Sequence, residues 1–378
     1  MPAPVRPRSG SARPALVAAL ALFLDGCCAF SSCPYDGPTR APFFHGRFYN
    51  QTPSARHSPG DLLRFFQERE QTGWQEVTDA VPGPPPPERV GEGGLRVTFV
   101  GHSTVLLQFD GLNLLTDPIW SERAGPVEWA GPRRFRPPGL RFEDLPPLDA
   151  VLVSHNHYDH LDLATLQRLQ DEHGPVFYTG LGNAAFLRRE GVYDVLELDW
   201  WEEARLARGV RLSFVPAQHF SGRGLCDQGA TLWGGFVLEG PAGVVYFAGD
   251  TGFGPHFAQI RARFGAPRLA VLPIGSFQPR WFMSVVHMGP DEAVAAHRRL
   301  GAGASVAIHF GTFALANDRQ DEPIVLLGEA LAEAGLAPDA FRVLREGEGW
   351  DVPPLPAAAE PALEPPGSAP VPEPDPAW

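Results

Sequence analysis

Three histidines and two aspartates crowd the stretch Ser154-His155-Asn156-His157-Tyr158-Asp159-His160-Leu161-Asp162. Imidazole and carboxylate without thiolate suit Zn2+ or another borderline divalent ion, at about 2.0–2.2 Å per ligand. Residues two apart in an extended segment point to one side, so His155 and His157 can grip one ion together. Asp159 and His160 follow at a spacing that turns them away from that pair, and one segment so offers two half-sites. A histidine taken singly is ordinarily a solvated or core side chain. Three in this spacing, directly after the short apolar run Ala150 to Val153, are hard to account for that way.

Three later spots return to the same chemistry. The apolar run Leu212 to Val215 leads through Pro216-Ala217-Gln218 to His219. Val244 to Ala248 is followed by Gly249-Asp250-Thr251-Gly252, and Ser305 to Ile308 stops at His309. One histidine or one Asp-Thr-Gly turn after a strand is weak evidence. Four strands that each end in a metal donor form a pattern, because loops at one edge of a sheet are where α/β domains place their chemistry.

The elements that must position these residues read as strands with intervening helices from Leu95 onward. Leu95 to Val100 and Val105 to Phe109 are joined by Gly101-His102-Ser103-Thr104, and Leu112 to Leu115 runs into Thr116-Asp117-Pro118. Asp162 is placed to cap a helix whose Leu163, Leu166 and Leu169 share a face, with Gly174-Pro175 ending it. A strand over Val176 to Thr179, a helix over Asn183 to Glu190 and a strand at Leu196 to Leu198 follow. Such alternation gives a layered α/β domain.

The 378 residues, 44% of them apolar, hold one large α/β domain with proline-rich ends. The formal net charge of −13 argues against a nucleic-acid groove, although the acidic C-terminus inflates it. Four cysteines without Cys-x-x-Cys spacing are neither a disulfide framework nor metal ligands. Residues 1–26 carry Arg6, Arg8 and Arg13 before the apolar run Ala15 to Leu24, which is short of the ~20 residues needed to span a bilayer and matches a signal-peptide core. Leu24-Asp25-Gly26-Cys27 resembles a lipobox, with Asp25 where a small uncharged residue is usual. The expectation is an exported chain in a bacterial envelope, lipid-anchored at Cys27 or cleaved elsewhere; a leader with no targeting role is the other reading. Residues 27–94 read as a tether with a small docking helix at Asp61 to Gln71, Asp61 its N-cap and Leu62, Phe65 and Phe66 on one side, or equally as an arm packed on the main domain. The hydrolase domain is set at 95–346, and 347–378 read as a disordered Pro/Ala/Glu-rich tail.

With these residues in place, the chain resembles the metallo-β-lactamase fold superfamily and, within it, the N-acylphosphatidylethanolamine-hydrolysing phospholipase D family. The resemblance runs from about Val97 to about Arg345. It is carried by Leu-Thr-Asp-Pro-Ile at 115–119, Gly-Pro-Arg-Arg-Phe at 131–135, the histidine-rich stretch, Glu-Leu-Asp-Trp-Trp-Glu-Glu at 197–203, Phe-Ala-Gly-Asp-Thr-Gly at 247–252, Pro-Arg-Trp-Phe-Met at 279–283 and His-Phe-Gly-Thr-Phe-Ala-Leu-Ala-Asn at 309–317. It implies a four-layer αβ/βα sandwich binding two Zn2+ ions. His155, His157 and His219 would hold the first, Asp159, His160 and His309 the second, and Asp250 would bridge both. Asp117 would orient a ligand from behind, and His102 would do the same or brace its turn.

The implied reaction is attack on phosphorus by a hydroxide shared between the ions, releasing an N-acylethanolamine and phosphatidic acid, with Asp159, Asp250 and His287 as the catalytic residues. The implied partners are a phospholipid substrate and a membrane surface; a homodimer is compatible with the sequence. Trp281, Phe282, Met283, Val285 and Val286 could line an apolar channel, while Trp200 and Trp201 read as core. The chain departs from the family at Val286, where animal members carry Gln, and in its leader. The rival readings are a hydrolase of the same fold acting on a small soluble substrate, such as a lactonase or another phosphodiesterase, and an envelope binding protein that kept the site and lost catalysis. For His287 the alternative is a surface position before the Asp291 to Leu300 helix.

Overall fold

The structure, a computed structural model, describes residues 32, 35–53, 58–69, 73–78, 80–224 and 226–355. The leader 1–26, Cys27 and most of the tail lie outside the described residues. Among the described residues, the first elements are a short hairpin, β1 (Phe43–Phe44) and β2 (Arg47–Phe48), and a helix, α1 (Pro59–Gln67). Two seven-stranded sheets follow. In the first, the order is β16 (Gly349–Asp351), β3 (Leu95–Gly101), β4 (Thr104–Phe109), β5 (Leu112–Thr116), β6 (Ala150–Val153), β7 (Val176–Gly180) and β8 (Val195–Leu198). In the second it is β15 (Phe341–Arg342), β14 (Ala304–Ile308), β13 (Leu269–Pro273), β12 (Gly243–Phe247), β11 (Gly235–Gly240), β10 (Arg211–Val215) and β9 (Glu203–Arg205). Each sheet is mixed. β16 to β5 and β9 to β12 pair antiparallel, while β5 to β8 and β12 to β15 pair parallel.

The period-2 alternation of the strands decides which side each residue serves. Val105, Leu107 and Phe109 of β4, Leu112 and Leu114 of β5, and Ala150 and Leu152 of β6 share one core with Phe214, Phe236, Phe247, Val271 and Val306 of the second sheet. Leu106, Leu115, Val151, Val153 and Phe177 point the other way, to a second core with Leu166 and Leu169 of α2 (Leu163–Glu172) and Phe186 and Leu187 of α3 (Ala184–Arg189). Helices α4 (His256–Phe264), α6 (Pro290–Leu300) and α7 (Glu322–Glu333) cover the outer face of the second sheet through Phe257, Ile260, Ala293, Leu300 and Leu327. A one-turn helix, α5 (Arg280–Met283), precedes α6. The result is the expected four-layer αβ/βα sandwich.

Four details differ from the sequence reading. Helix α1 is capped by Ser58, not Asp61: Asp61 N donates to Ser58 Oγ at 3.1 Å and Ser58 N to Asp61 Oδ2 at 2.8 Å, a reciprocal box. On that helix Phe65 is buried, while Leu62 and Phe66 stay exposed. Asp162 stands at the N-cap of α2 but its carboxylate accepts from Ser121 and Thr165, with no bond to the helix backbone. A boundary at 346 falls too early, because Gly349–Asp351 is an edge strand on β3 and Val352 is buried.

The described part of 35–94 is an arm docked on the sandwich, not a tether. Phe48 is 3% exposed in the main core, Trp74 Nε1 donates to Asp318 O at 3.0 Å, and Gly83 N donates to Gly139 O at 2.7 Å. Among the described residues no helix is long and apolar enough to cross a membrane.

Leu152 of β6 sits between the sheets, fully buried, three residues before His155. Leu152→Ala should cost about 2–5 kcal/mol of stability, read from the midpoint of chemical unfolding at unchanged slope. A cost below about 1 kcal/mol would contradict this packing.

Candidate metal centre

Strand direction brings the donors to one edge. β10 and β12 both pair antiparallel with β11, and β12, β13 and β14 are mutually parallel, so β10, β12 and β14 run the same way. His219, Asp250 and His309 follow their C-terminal ends, and β6 of the facing sheet delivers His155 to the same edge. After β6 the chain makes one tight turn, with His160 N and Leu161 N donating to His157 O at 3.1 and 2.8 Å. That turn folds His160 back toward the sheet. The loops press together at Gly249, where φ is 60° and a Cβ would stand 2.5 Å from Ser154 Cβ.

The first cluster is His155, His157 and His219. His155 Nε2 and His219 Nε2 lie 2.8 and 3.2 Å from His157 Nδ1. The outer nitrogens fix the rings. His219 Nδ1 donates to Val286 O at 3.0 Å. Ser154 Oγ gives its own proton to Asp117 Oδ2 at 2.6 Å and so accepts from His155 Nδ1 at 2.9 Å. Both Nε2 lone pairs are thereby left facing His157.

In the second cluster, His160 Nε2 and His309 Nε2 each stand 3.1 Å from Asp250 Oδ2, and 3.2 and 3.4 Å from Asp159 Oδ2. The same Asp250 oxygen lies 3.9 Å from His155 Nε2 and 3.7 Å from His219 Nε2. It therefore stands between the two sets. Atoms about 2.0–2.1 Å from one tetrahedral ion are roughly 3.3 Å apart, the spacing seen here. His160 Nε2, His309 Nε2 and Asp250 Oδ1 are buried without a hydrogen-bond partner, as groups reserved for an ion would be. The two sets are consistent with a binuclear metal site.

Behind the ligands, His160 Nδ1 donates to Asp117 Oδ2 at 2.7 Å, and Ser154 N donates to Asp117 Oδ1 at 2.7 Å. Asp117 thus holds His160 directly and His155 through Ser154. His102 does both tasks open to it. Its Nε2 lies 2.9 Å from Asp159 Oδ2, and its backbone braces the turn, taking His309 N at 2.8 Å and giving to Thr312 Oγ1 at 2.9 Å. His102, Asp117 and His309 all adopt positive φ, at 55°, 34° and 62°, a conformation uncommon for non-glycine residues.

Charge is partitioned across this buried cluster. Burial pushes His155 well down, His157 and His102 to about 3 and His219 to about 4, so these rings are neutral and ready to donate lone pairs. Burial also works against charge on His160 and His309, but Asp250 leads the groups that overcome it, holding His160 well up and His309 at about 9. Asp159 and Asp250 resist burial through His160 first and stay well below the carboxylate range. A metal ion must displace the protons of His160 and His309, so binding weakens as pH falls.

All seven residues singled out by pattern therefore meet at one place. His287 joins them. It is buried, not at the surface, with ring centroids 5.0 Å from His219 and 5.2 Å from His309 and no partner at Nδ1. Trp200 is core, as read, and Trp201 packs against that core half-exposed. Residues not singled out also line the centre. Phe220 meets His157 edge-on with ring centroids 4.6 Å apart, Tyr158 Oη donates to Arg223 O at 2.7 Å, and Asn156 accepts from Gly222 N at 2.7 Å. Phe220 directly follows a ligand, and that adjacency was the one available signal. Two open grooves, one along α6 and α7 at Val294 and Arg298, the other at Trp201 and Arg263, contain none of the clustered ligands.

Comparison with known proteins places this geometry. A family model for the beta-lactamase superfamily domain matches residues 112–310. The N-acyl-phosphatidylethanolamine-hydrolyzing phospholipase D 1 of Caenorhabditis elegans is 38% identical over 272 residues, covering 69% of this chain and 76% of that one. An uncharacterized protein of Mycobacterium bovis is 43% identical over 235 residues, 61% of this chain and 62% of its own. The solved structure of a metallo hydrolase from Ignicoccus hospitalis is 25% identical with a TM-score of 0.52, covering 68% of this chain and 98% of that one.

Asp117→Asn keeps the size of the side chain and removes the charge that orients His160 and, through Ser154, His155. Metal retention against a chelator should fall about 10–100-fold, measured as ions per protein after dialysis. Retention equal to that of the parent would remove Asp117 from the account.

Proposed function

Starting from a chain that belongs to the metallo-β-lactamase superfamily and, within it, to the N-acylphosphatidylethanolamine-hydrolysing phospholipase D family, we propose a zinc-dependent phosphodiesterase that converts N-acylphosphatidylethanolamine to N-acylethanolamine and phosphatidic acid. The observation that carries the reading is Asp250 Oδ2, 3.1 Å from both His160 and His309 and facing the first cluster across 3.7–3.9 Å. His155, His157 and His219 would hold one Zn2+ ion and Asp159, His160 and His309 the other, and ions so held would supply activation of water near neutral pH and positive charge for a phosphoryl group.

The chain's own residues supply the rest. Asp250 and Asp159 stay ionised and hold the negative charge that two divalent ions need. Asp250 Oδ1, buried without a partner, can accept a hydrogen bond from the attacking water and orient it. Water oxygen bonds to phosphorus, the bond from phosphorus to the ethanolamide oxygen breaks, and that oxygen leaves with a proton. Burial pushes His287 well down and so holds its ring neutral. One ring N–H is enough to orient a phosphoryl oxygen or the leaving oxygen. Val286 turns its backbone carbonyl to His219 and offers no polar side chain to a head group.

A lipid substrate asks for an apolar approach. Phe282 stacks on Phe65 of α1 at 4.5 Å, and Phe65, Phe282, Met283 and Ala316 form one cluster between the loops that carry His287 and His309. On the solvent side of α1, Leu62, Leu63 and Phe66 are 46%, 59% and 57% exposed, and Arg64 lies over the Trp281 ring at 4.3 Å. Three apolar side chains beside a cation and an indole suit the interface of a membrane. This surface would meet the bilayer, and an anchor at Cys27 would hold it there. The net charge of −13 favours no nucleic-acid partner.

The deciding assay offers the purified protein N-acylphosphatidylethanolamine, a lactone and a generic phosphodiester, with and without chelator. The expected result is chelator-sensitive release of N-acylethanolamine. Brisk turnover of the lactone with none of the lipid would replace this reading with that of a small-substrate hydrolase.

Replacing Leu62, Leu63 and Phe66 together by Ser should weaken binding to vesicles containing the lipid about tenfold or more. Hydrolysis of a detergent-dispersed short-chain substrate should be unchanged. Equal vesicle binding would exclude this face as the docking surface.

A further inference from the structure

The N-terminal arm reaches a metal ligand. Asn50, two residues beyond β2, sets its side-chain amide against the backbone of His219: Nδ2 donates to His219 O at 2.8 Å and Oδ1 accepts from His219 N at 3.1 Å. A neighbouring β-strand would supply the same two bonds. Here a side chain 169 residues away supplies them.

The orientation of the amide is fixed independently. Trp233 Nε1 can only donate, and it shares its proton between Asn50 Oδ1 and Ala217 O, each at 3.1 Å, so the Asn50 atom facing it is the oxygen and the one facing His219 O is the nitrogen. The arm is itself held in place. Phe48 N donates to Gly229 O at 2.8 Å, the Arg47 guanidinium donates to the Cys226 and Gln228 carbonyls, and Thr52 O accepts from Gln218 Nε2 at 3.1 Å.

His219 sits in a loop, where no ladder fixes its backbone. Its ring is tied by Val286 O and its main chain by Asn50, and these two restraints place Nε2 at 3.2 Å from His157 Nδ1. We infer that Asn50 is a positioning residue for the first metal: it holds the His219 backbone so that the ring meets the ion, and the N-terminal arm is thereby part of the metal centre. Asn50 lies well outside the stretch that matches the superfamily domain, 112–310. Only an amide of this length presents a donor and an acceptor side by side. Leu keeps the volume and offers neither, and Asp keeps the acceptor but sets an anionic oxygen against His219 O.

The inference rests on the metal reading of the site and not on which ester is cleaved, so the test counts ions. The full chain, loaded with Zn2+, is titrated with a chelator and the bound zinc is measured by elemental analysis, for the parent, Asn50→Leu and Asn50→Asp. In both variants one of the two ions should leave at about 10–100-fold lower chelator concentration, with the other retained as in the parent. The melting temperature of the metal-free protein should be unchanged. Parental retention of both ions would overturn the inference. So would parallel loss of both ions with a lowered melting temperature, since that marks a merely structural contact. If Asn50→Leu does not fold, Asn50→Asp decides by the same outcomes. A parent chain that binds no zinc would overturn the metal reading and this inference with it.

Discussion

Everything in this molecule converges on one shared carboxylate oxygen. Asp250 Oδ2 lies within 3.1 Å of two imidazoles and faces two more across 3.7–3.9 Å, on a side chain that is itself buried. A buried carboxylate is costly unless charge of the opposite sign surrounds it, and the cluster meets that condition by keeping His160 and His309 cationic until an ion replaces their protons.

The two mixed sheets explain how such a cluster can be assembled from distant segments. Parallel pairing of β12, β13 and β14 puts successive strand ends at one edge, and the facing sheet brings β6 to the same edge. The core between the sheets is close-packed with aromatic and branched side chains, so the edge is rigid. Loops leaving that edge bring the donors 2.8–3.9 Å from one another, the range that ligands of shared ions span. Positive φ at His102, Asp117 and His309 marks where the backbone is bent to complete the fit.

The ligands were legible in the sequence because each follows an apolar run, and a strand end is visible without coordinates. The layered fold followed from the same alternation, and the named family from longer motifs. What stayed hidden was which of several available partners a polar side chain or a short segment takes up. Asp162 is a plausible cap by position, yet its carboxylate is taken by Ser121 and Thr165. Ser58 outcompetes Asp61 at α1 because a reciprocal box forms only in that register. Gly349–Asp351 is too short and too polar to announce itself as a strand, and it is defined by its partner β3. Asn50 carried no local signal, since its role exists only once His219 lies beside it.

The most direct test of the shared oxygen is anomalous diffraction from crystals of the zinc-loaded protein at the zinc absorption edge. The account requires two peaks about 3.5–4 Å apart with Asp250 Oδ2 between them, one ringed by His155, His157 and His219 and the other by Asp159, His160 and His309. A single peak, or a pair without Asp250 between them, would contradict it.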